Sequence, residues 1–320
     1  MKLNRSGAVS NDEIAHAAEL LRSGKLVAFP TETVYGLGAD ALDAVAVARI
    51  FEVKGRPNTS PVIVHVSDRE MVATVAASWP DKARILAEHF WPGPLTLVVP
   101  KAPAVPDIVT AGLSTVGVRM PAHPIALALI AAAQVPVAAP SANRFAQVSP
   151  TSAEHVRQGL GDRVDFILDG GPCTVGIEST VLSLVEDVPV LLRPGGISRG
   201  QIEAVIGEIA SAQPASAGAH PSPGMHPRHY SPRTPLVLVE NGNVPIDGKG
   251  AYLQLTHSPL EAVSEIIVMP GTAAEYAARL YSVLHALDAR GYDWIAVETP
   301  GPGAEWEAVL DRLRRAASSL

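Results

Sequence analysis

The chain has 320 residues, 47% of them apolar, and a formal net charge of −7. That length suits two packed domains, and the negative balance excludes a protein that grips nucleic acid by bulk charge, so any RNA contact is expected to be local and weak. No apolar run reaches the ~18 residues of a membrane span. Met1-Lys2-Leu3-Asn4-Arg5 leads into polar residues rather than a signal core, and the single Cys173 has no partner for an internal disulfide, which fits a reducing cytoplasm.

In chain order, Ser10-Asn11-Asp12-Glu13 predicts a capping box opening a helix that Gly24 ends. Strand 26–29 follows, then helix 43–52, strand 62–66, helices 68–77 and 81–90, and strands 95–99 and 116–119. Helix 124–133 and strand 135–139 come next. Thr151-Ser152-Ala153-Glu154 predicts a second capping box, and strands 166–168, 180–185 and 190–192 precede helix 198–206. This mixture predicts one α/β domain over residues 1–210, a twisted open sheet flanked by helices. Residues 211–235, rich in Ala, Ser, Pro, Gly and His, predict a linker. Strands 236–239, 251–255, 266–268 and 294–297 with helices 273–290 and 304–316 predict a smaller Rossmann-like β/α domain over 236–320.

The densest chemistry lies in Phe29-Pro30-Thr31-Glu32-Thr33-Val34-Tyr35-Gly36-Leu37-Gly38, followed by Lys54-Gly55-Arg56-Pro57. A strand running into hydroxyls, a carboxylate and glycines places hydrogen-bonding groups at a sheet end, and two nearby cations suggest a ligand with several anionic oxygens. Gly36-Leu37-Gly38-Ala39-Asp40-Ala41 formally matches a dinucleotide pattern but stands too far past its strand; it is expected as loop backbone lining a pocket. No Walker A sequence occurs. Arg119 ends an apolar strand, where its forked guanidinium suits a carboxylate. Ser179 lacks a nucleophile elbow and is expected to donate a hydrogen bond rather than attack. Glu178 is open between an orienting or metal-binding carboxylate and a mere edge charge. His220, His226 and His229 invite a zinc site, but no cysteine or nearby acid completes the shell. Cys173 is expected as a small buried residue.

These segments resemble the YrdC-like family, the threonylcarbamoyl-AMP synthases. The further motifs follow in the family's order: Pro92-Gly93-Pro94-Leu95-Thr96, Val116-Gly117-Val118-Arg119-Met120-Pro121, Ala139-Pro140-Ser141-Ala142-Asn143, Gly176-Ile177-Glu178-Ser179-Thr180 and Leu192-Arg193-Pro194-Gly195. Ser222-Pro223-Gly224-Met225 with His229-Tyr230 resembles the linker of its two-domain form. The resemblance is dense over residues 10–200 and weak over 236–320.

It implies a YrdC-like catalytic domain that joins L-threonine, bicarbonate or CO2 and ATP into threonylcarbamoyl-AMP, releasing pyrophosphate. The product would feed a separate tRNA threonylcarbamoyl transferase acting on the adenosine beside the anticodon. By resemblance, Thr33, His65, Arg119 and Ser179 meet threonine. ATP is met by Lys54, Arg56, Ser60, Thr115, Ser141, Asn143, Ser149, Arg193 and Tyr230, with Lys54 and Arg56 as the catalytic cations and Mg2+ arriving with the nucleotide. Ser60 and Pro61 depart from the family, which often has a longer polar or basic residue there. Residues 211–235 are expected to fold over the pocket as a lid, with Tyr230 near the nucleotide and Arg193 opposite. Two rivals remain: a double-stranded RNA or tRNA-binding module without catalysis, and an enzyme using acyl or carbamoyl phosphates.

Overall fold

A computed structural model describes residues 9–212 and 229–317. Helix α1 (Asn11–Arg22) begins as expected. Ser10 Oγ accepts from the Glu13 N–H and the Glu13 carboxylate accepts the Ser10 N–H, satisfying two donors that a helix start leaves open. Strand β1 (Val27–Phe29) then turns back as β2 (Gly36–Asp40), its antiparallel partner. Gly36-Leu37-Gly38 is therefore a strand rather than a loop, although Gly36 does line a pocket as expected. Its glycines are needed for close packing: a Cβ on Gly38 would stand 2.8 Å from both Phe29 and Val137.

The first unit continues through α2 (Ala44–Lys54), β3 (Val64–His65), α3 (Arg69–Val75), α4 (Asp81–Phe90), β4 (Leu95–Pro100), α5 (Asp107–Thr110) and β5 (Thr115–Arg119). It closes with α6 (Pro124–Ala133), β6 (Val137–Ala138), α7 (Ala153–Leu160), β7 (Phe166–Ile167), β8 (Thr180–Ser183), β9 (Val190–Arg193), α8 (Arg199–Ile206) and β10 (Ala210–Ser211). Two local expectations shift. The cap of α7 is Ser152, accepting from the His155 N–H, rather than a box begun by Thr151. Strand β10 extends the sheet parallel to β9, beyond the end expected for the first unit.

These strands form one mixed sheet in the order β10-β9-β8-β4-β5-β3-β6-β2-β1-β7. One face packs Val64, Leu97, Val118 and Leu182 against α2, α4 and α8 in the main core. On the other face α1 and α6 cover only the β6, β2, β1 end, through Leu21, Phe29, Leu129 and Val137. Over β3, β5, β4, β8 and β9 that second face is left to the site.

The second unit is a four-stranded parallel sheet, β11 (Leu236–Val239), β12 (Gly250–Gln254), β13 (Glu265–Val268) and β14 (Trp294–Glu298), in the order β11-β14-β12-β13. Helices α9 (Ala273–Asp288) and α10 (Glu307–Ala316) cover one of its faces. The core beneath them is shared with the first unit, since Val34, Val148 and Ile177 pack with Tyr230, Tyr276 and Tyr281. Gly176, with φ +76°, permits that approach: a Cβ there would lie 2.5 Å from the backbone of Ala277 and Ala278 in α9.

A buried ion pair crosses the same seam. Arg312 Nε donates to Glu178 Oε2 at 2.7 Å, and Tyr281 and Ser149 hydroxyls donate to the same carboxylate at 3.0 and 2.6 Å. Burial opposes the charge, but Arg312 and Arg193 hold the Glu178 carboxyl down at about 2. A carboxyl lowered from its ordinary 4.5 contributes stability that is present above pH 4.5 and lost as the pH falls toward 2. In denaturant titrations, Glu178→Gln should therefore be less stable than wild type by ~3 kcal/mol near pH 6. That gap should close progressively between pH 4.5 and 2; a gap independent of pH would show that the pair is not the linked group.

Candidate active site

Strand register decides which side chains face the open half of the sheet. Because side chains alternate and paired residues share a face, His65 on β3, Arg119 on β5 and Val137 on β6 point the same way. Thr115 and Gly117 precede Arg119 at two-residue steps, and Val98 of β4 pairs with Gly117. Thr96 pairs with Val181, which pairs with Arg193. Two arginines and an imidazole are thus carried to one face by backbone geometry alone.

They line a cleft of about 550 Å³. Thr33 and Ser141 enter from the loops after β1 and β6, Arg56 from the turn after α2, and Ser179 from the segment before β8. Glu178, His229 and Tyr230 complete the wall toward the second unit. Eight of the residues expected to meet ligand therefore converge: Thr33, Arg56, His65 and Arg119, with Ser141, Ser179, Arg193 and Tyr230. Ile63 also belongs to a smaller apolar cavity of about 310 Å³, lined by Thr115, Val98, Val181 and Gly117. Thr115 stands in this second cavity rather than the main cleft. A Cβ on Gly117 would come 3.2 Å from Thr96 Cγ2, so the bare glycine keeps the floor low.

Lys54, Ser60, Asn143 and Ser149 stand behind the cleft wall. Lys54 Nζ donates to the carbonyls of Ser141 and Asn143, both at 2.5 Å, and burial together with Arg56 pushes its pKa well below the ordinary range. It ties down the Ser141 loop from behind. Ser60 Oγ accepts from Arg56 Nη2 at 2.5 Å, and the Pro61 carbonyl accepts from the same nitrogen at 2.9 Å. Its place is to aim Arg56. Asn143 donates to the carbonyls of Arg144 and Gln147 and shapes its own loop. Ser149 holds Glu178, as above.

Arg119 is not an idle cation awaiting a carboxylate. Its Nη2 donates to Glu32 Oε1 at 2.6 Å and its Nε to the Gly93 carbonyl at 3.3 Å, leaving Nη1 without a partner among the described residues. Glu32 also accepts the Ala122 N–H. Glu32 was visible in the first motif, but nothing in its spacing pairs it with Arg119. Arg193 Nε and Nη2 donate to the Ser179 carbonyl, and Ser179 Oγ lies 2.8 Å from Thr96 Oγ1. Among the described residues the partners of Ser179 Oγ are Thr96 Oγ1 and Arg193 Nη2, neither of them a base.

Burial has charged this cleft at a cost. Arg56 is pushed down to about 10 by desolvation. His65 is pushed to about 3 by burial and Arg119, so its imidazole is neutral at physiological pH. Three buried polar atoms here have no hydrogen-bond partner among the described residues: His65 Nδ1, His229 Nδ1 and the Tyr230 hydroxyl. Tyr230 also has φ +61°, a strained value for an aromatic residue. Such orphaned atoms and strain at one cleft point to a ligand that satisfies them.

Glu32 and Glu178 are both occupied by donors, and among the described residues no group of three His, Cys, Asp or Glu is placed to hold a metal ion. His220 and His226 lie outside the described residues, and the His229 ring packs edge-on against Phe145 and Tyr230. Cys173 is buried, and desolvation raises its thiol to about 12.

A family described as telomere recombination matches residues 19–195, and one described as the threonylcarbamoyl-AMP synthase C-terminal domain matches 197–318. The threonylcarbamoyl-AMP synthase of Pyrococcus abyssi is 45% identical over 95% of this chain and 94% of its own length. That of Bacillus subtilis is 44% identical over 97% and 94%. This chain belongs to the threonylcarbamoyl-AMP synthase family. The crystal structure of P. abyssi Sua5 complexed with L-threonine superposes with a TM-score of 0.90 at 42% identity, covering 97% of this chain and 95% of that one. The family match over residues 197–318 covers the second unit, where the motif resemblance was weak. Arg312 and Tyr281, which hold Glu178, come from that stretch and carried no local sequence signal.

The buried Lys54 is expected to act through structure. Lys54→Met leaves two buried carbonyls without a donor and should lower stability by about 2–4 kcal/mol in thermal or urea unfolding. Unchanged stability with weakened ATP binding would instead mean that Lys54 meets the nucleotide directly.

Proposed function

We propose that this chain joins L-threonine, bicarbonate or carbon dioxide, and ATP into threonylcarbamoyl-AMP with release of pyrophosphate, the first step of tRNA threonylcarbamoyladenosine formation. The observation that carries this reading is the convergence of Arg56, Arg119, Arg193 and a neutral His65 on one open sheet face, in a chain whose relatives bear that activity over nearly full length. Arg119 offers its free Nη1 toward the threonine carboxylate, while Glu32 holds the other edge of the fork in place. Thr33, His65 and Ser179 surround that position with neutral hydrogen-bonding groups. The Arg56 and Arg193 side of the cleft suits the phosphates of the nucleotide.

The chemistry needs no protein nucleophile. The threonine amine attacks the carbon of carbon dioxide and releases a proton to solvent, or attacks that of bicarbonate, whose hydroxyl leaves as water with the amine proton; either way a carbamate results. A carbamate oxygen then attacks the α-phosphorus, and pyrophosphate leaves with the bonding electrons. Buried guanidiniums offset charge that spreads over the phosphoryl oxygens, and their fixed positions supply orientation. Magnesium belongs here as part of the nucleotide substrate, because the carboxylates at the cleft are already engaged. The buried setting of these cations also disfavours an RNA-docking surface, whose phosphates require exposed donors. No described helix is long and apolar enough to cross a membrane; with the lone buried Cys173, we place the protein in the cytoplasm.

The lid expected over 211–235 falls largely on residues 213–228, outside the described residues. We retain Tyr230 alone as a nucleotide-facing residue, supported by its place in the cleft wall.

Purified protein should release pyrophosphate from ATP only with threonine and bicarbonate both present. Equal release with serine, or without bicarbonate, would sink the assignment. Tyr230→Phe removes a buried hydroxyl that no described residue satisfies, so it should stabilise the free protein by up to ~1 kcal/mol while raising the KM for ATP. A variant with improved stability and an unchanged KM would remove that hydroxyl from the nucleotide site.

A further inference from the structure

We propose that Arg312, supplied by the second unit, sets the anion affinity of the cleft by cancelling the charge of Glu178. This rests on the reading of the cleft as the ATP site. Glu178 is a wall residue of the cleft and faces the region that must take phosphates. Left alone, its carboxylate would repel them. Arg312 approaches from behind and is wholly buried. Its Nε reaches Glu178 Oε2 at 2.7 Å, its Nη2 donates to the Pro194 carbonyl at 3.0 Å, and its Nη1 meets Asp311 at 2.7 Å. The guanidinium also lies 5.0 Å from the centre of the Tyr230 ring. Arg312 thus touches both flanks of the cleft wall without lining the cleft itself.

The second cation acting on Glu178 is Arg193, a residue of the cleft. Without Arg312, Glu178 either draws Arg193 away from the ligand or leaves its own negative charge uncompensated. Both outcomes weaken an anionic ligand. The other groups facing Glu178 are Tyr281, Tyr230, His229 and Ser149, which are neutral, and Asp311, which adds negative charge and is itself engaged by Arg312. None can replace the guanidinium. Arg312 is therefore a positioning residue that governs nucleotide affinity, and it makes the second unit part of the site.

The test measures magnesium-ATP binding by titration calorimetry on the full chain, with circular dichroism as the fold check. Arg312→Met should weaken ATP roughly tenfold or more, with kcat at saturating ATP changed by less than about threefold. The double variant Arg312→Met/Glu178→Gln should return to within about threefold of wild type, because removing the carboxylate removes the need for its partner. Glu178→Gln alone should bind ATP as well as wild type or better. A double variant as weak as Arg312→Met means that Arg312 is structural glue and overturns the proposal, as does an Arg312→Met variant that binds normally. If Arg312→Met does not fold, Glu178→Gln decides, and a roughly tenfold loss of ATP affinity in that variant overturns the proposal. Wild-type protein that binds no ATP overturns the reading of the cleft and this inference together. Wild-type binding with the wrong variant pattern overturns only the inference.

Discussion

The site depends on a mismatch of coverage. Ten strands make one broad sheet, but α1 and α6 span only one end of its second face. The rest must find another partner or bind something. Sequence meets that constraint by setting Thr115 and Arg119 on β5, Thr96 on β4 and Arg193 on β9 among the positions that face it, beside the small or apolar Gly117, Val98 and Val181. The intervening residues Val116, Val118 and Leu97 enter the main core, as does Leu191, which an irregular register between β8 and β9 sets on the face opposite Arg193. One strand thereby anchors itself and presents chemistry, which gives site residues the rigidity of the sheet rather than that of a loop.

Burying this many cations would be prohibitive if they were left to themselves. Each is instead tied to a neighbour that does not consume it. Arg56 leans on Ser60 and Pro61, and Arg193 on the Ser179 carbonyl. Arg119 has a direct countercharge in Glu32. Arginine suits such duty because its fork has donors to spare after two are tied down, and its high pKa survives desolvation. Lys54, a point charge, loses that contest: its pKa falls, and it serves as a buried brace of two carbonyls.

Much of this was legible in the residues. The capping box at Ser10, the strand ending at Phe29 and the motif order that brought Arg119, Ser179 and Arg193 into one reading all followed from local chemistry or ordered resemblance. The strand at Gly36-Leu37-Gly38 was hidden because glycine weakens every propensity signal; the packing that requires it comes from Phe29 on the neighbouring strand and from Val137, which is distant in sequence. Lys54 and Arg56 looked equivalent, yet one faces the cleft and the other its back, since a two-residue difference at a helix end turns side chains apart. The Glu32–Arg119 and Glu178–Arg312 pairs span 87 and 134 residues. No spacing rule reaches that far.

The second unit clarifies what its fold is for. Parallel sheets of this kind commonly bind phosphates beyond the carboxyl ends of their strands. Here that position after β12 presents the N–H groups of Leu255, Thr256 and His257, and all three donate to the carboxylate of Glu298 at the end of β14. Tyr252 and His257 side chains close on the same oxygens. The anion cradle is already filled from within. The unit's resource is not a nucleotide pocket but its opposite side, where Tyr281, His285 and Arg312 reach Glu178 and the Ser149 carbonyl of the first unit. A sheet whose own ligand position is sealed is a stable platform, and what it delivers is a few side chains to a cleft that another sheet leaves open.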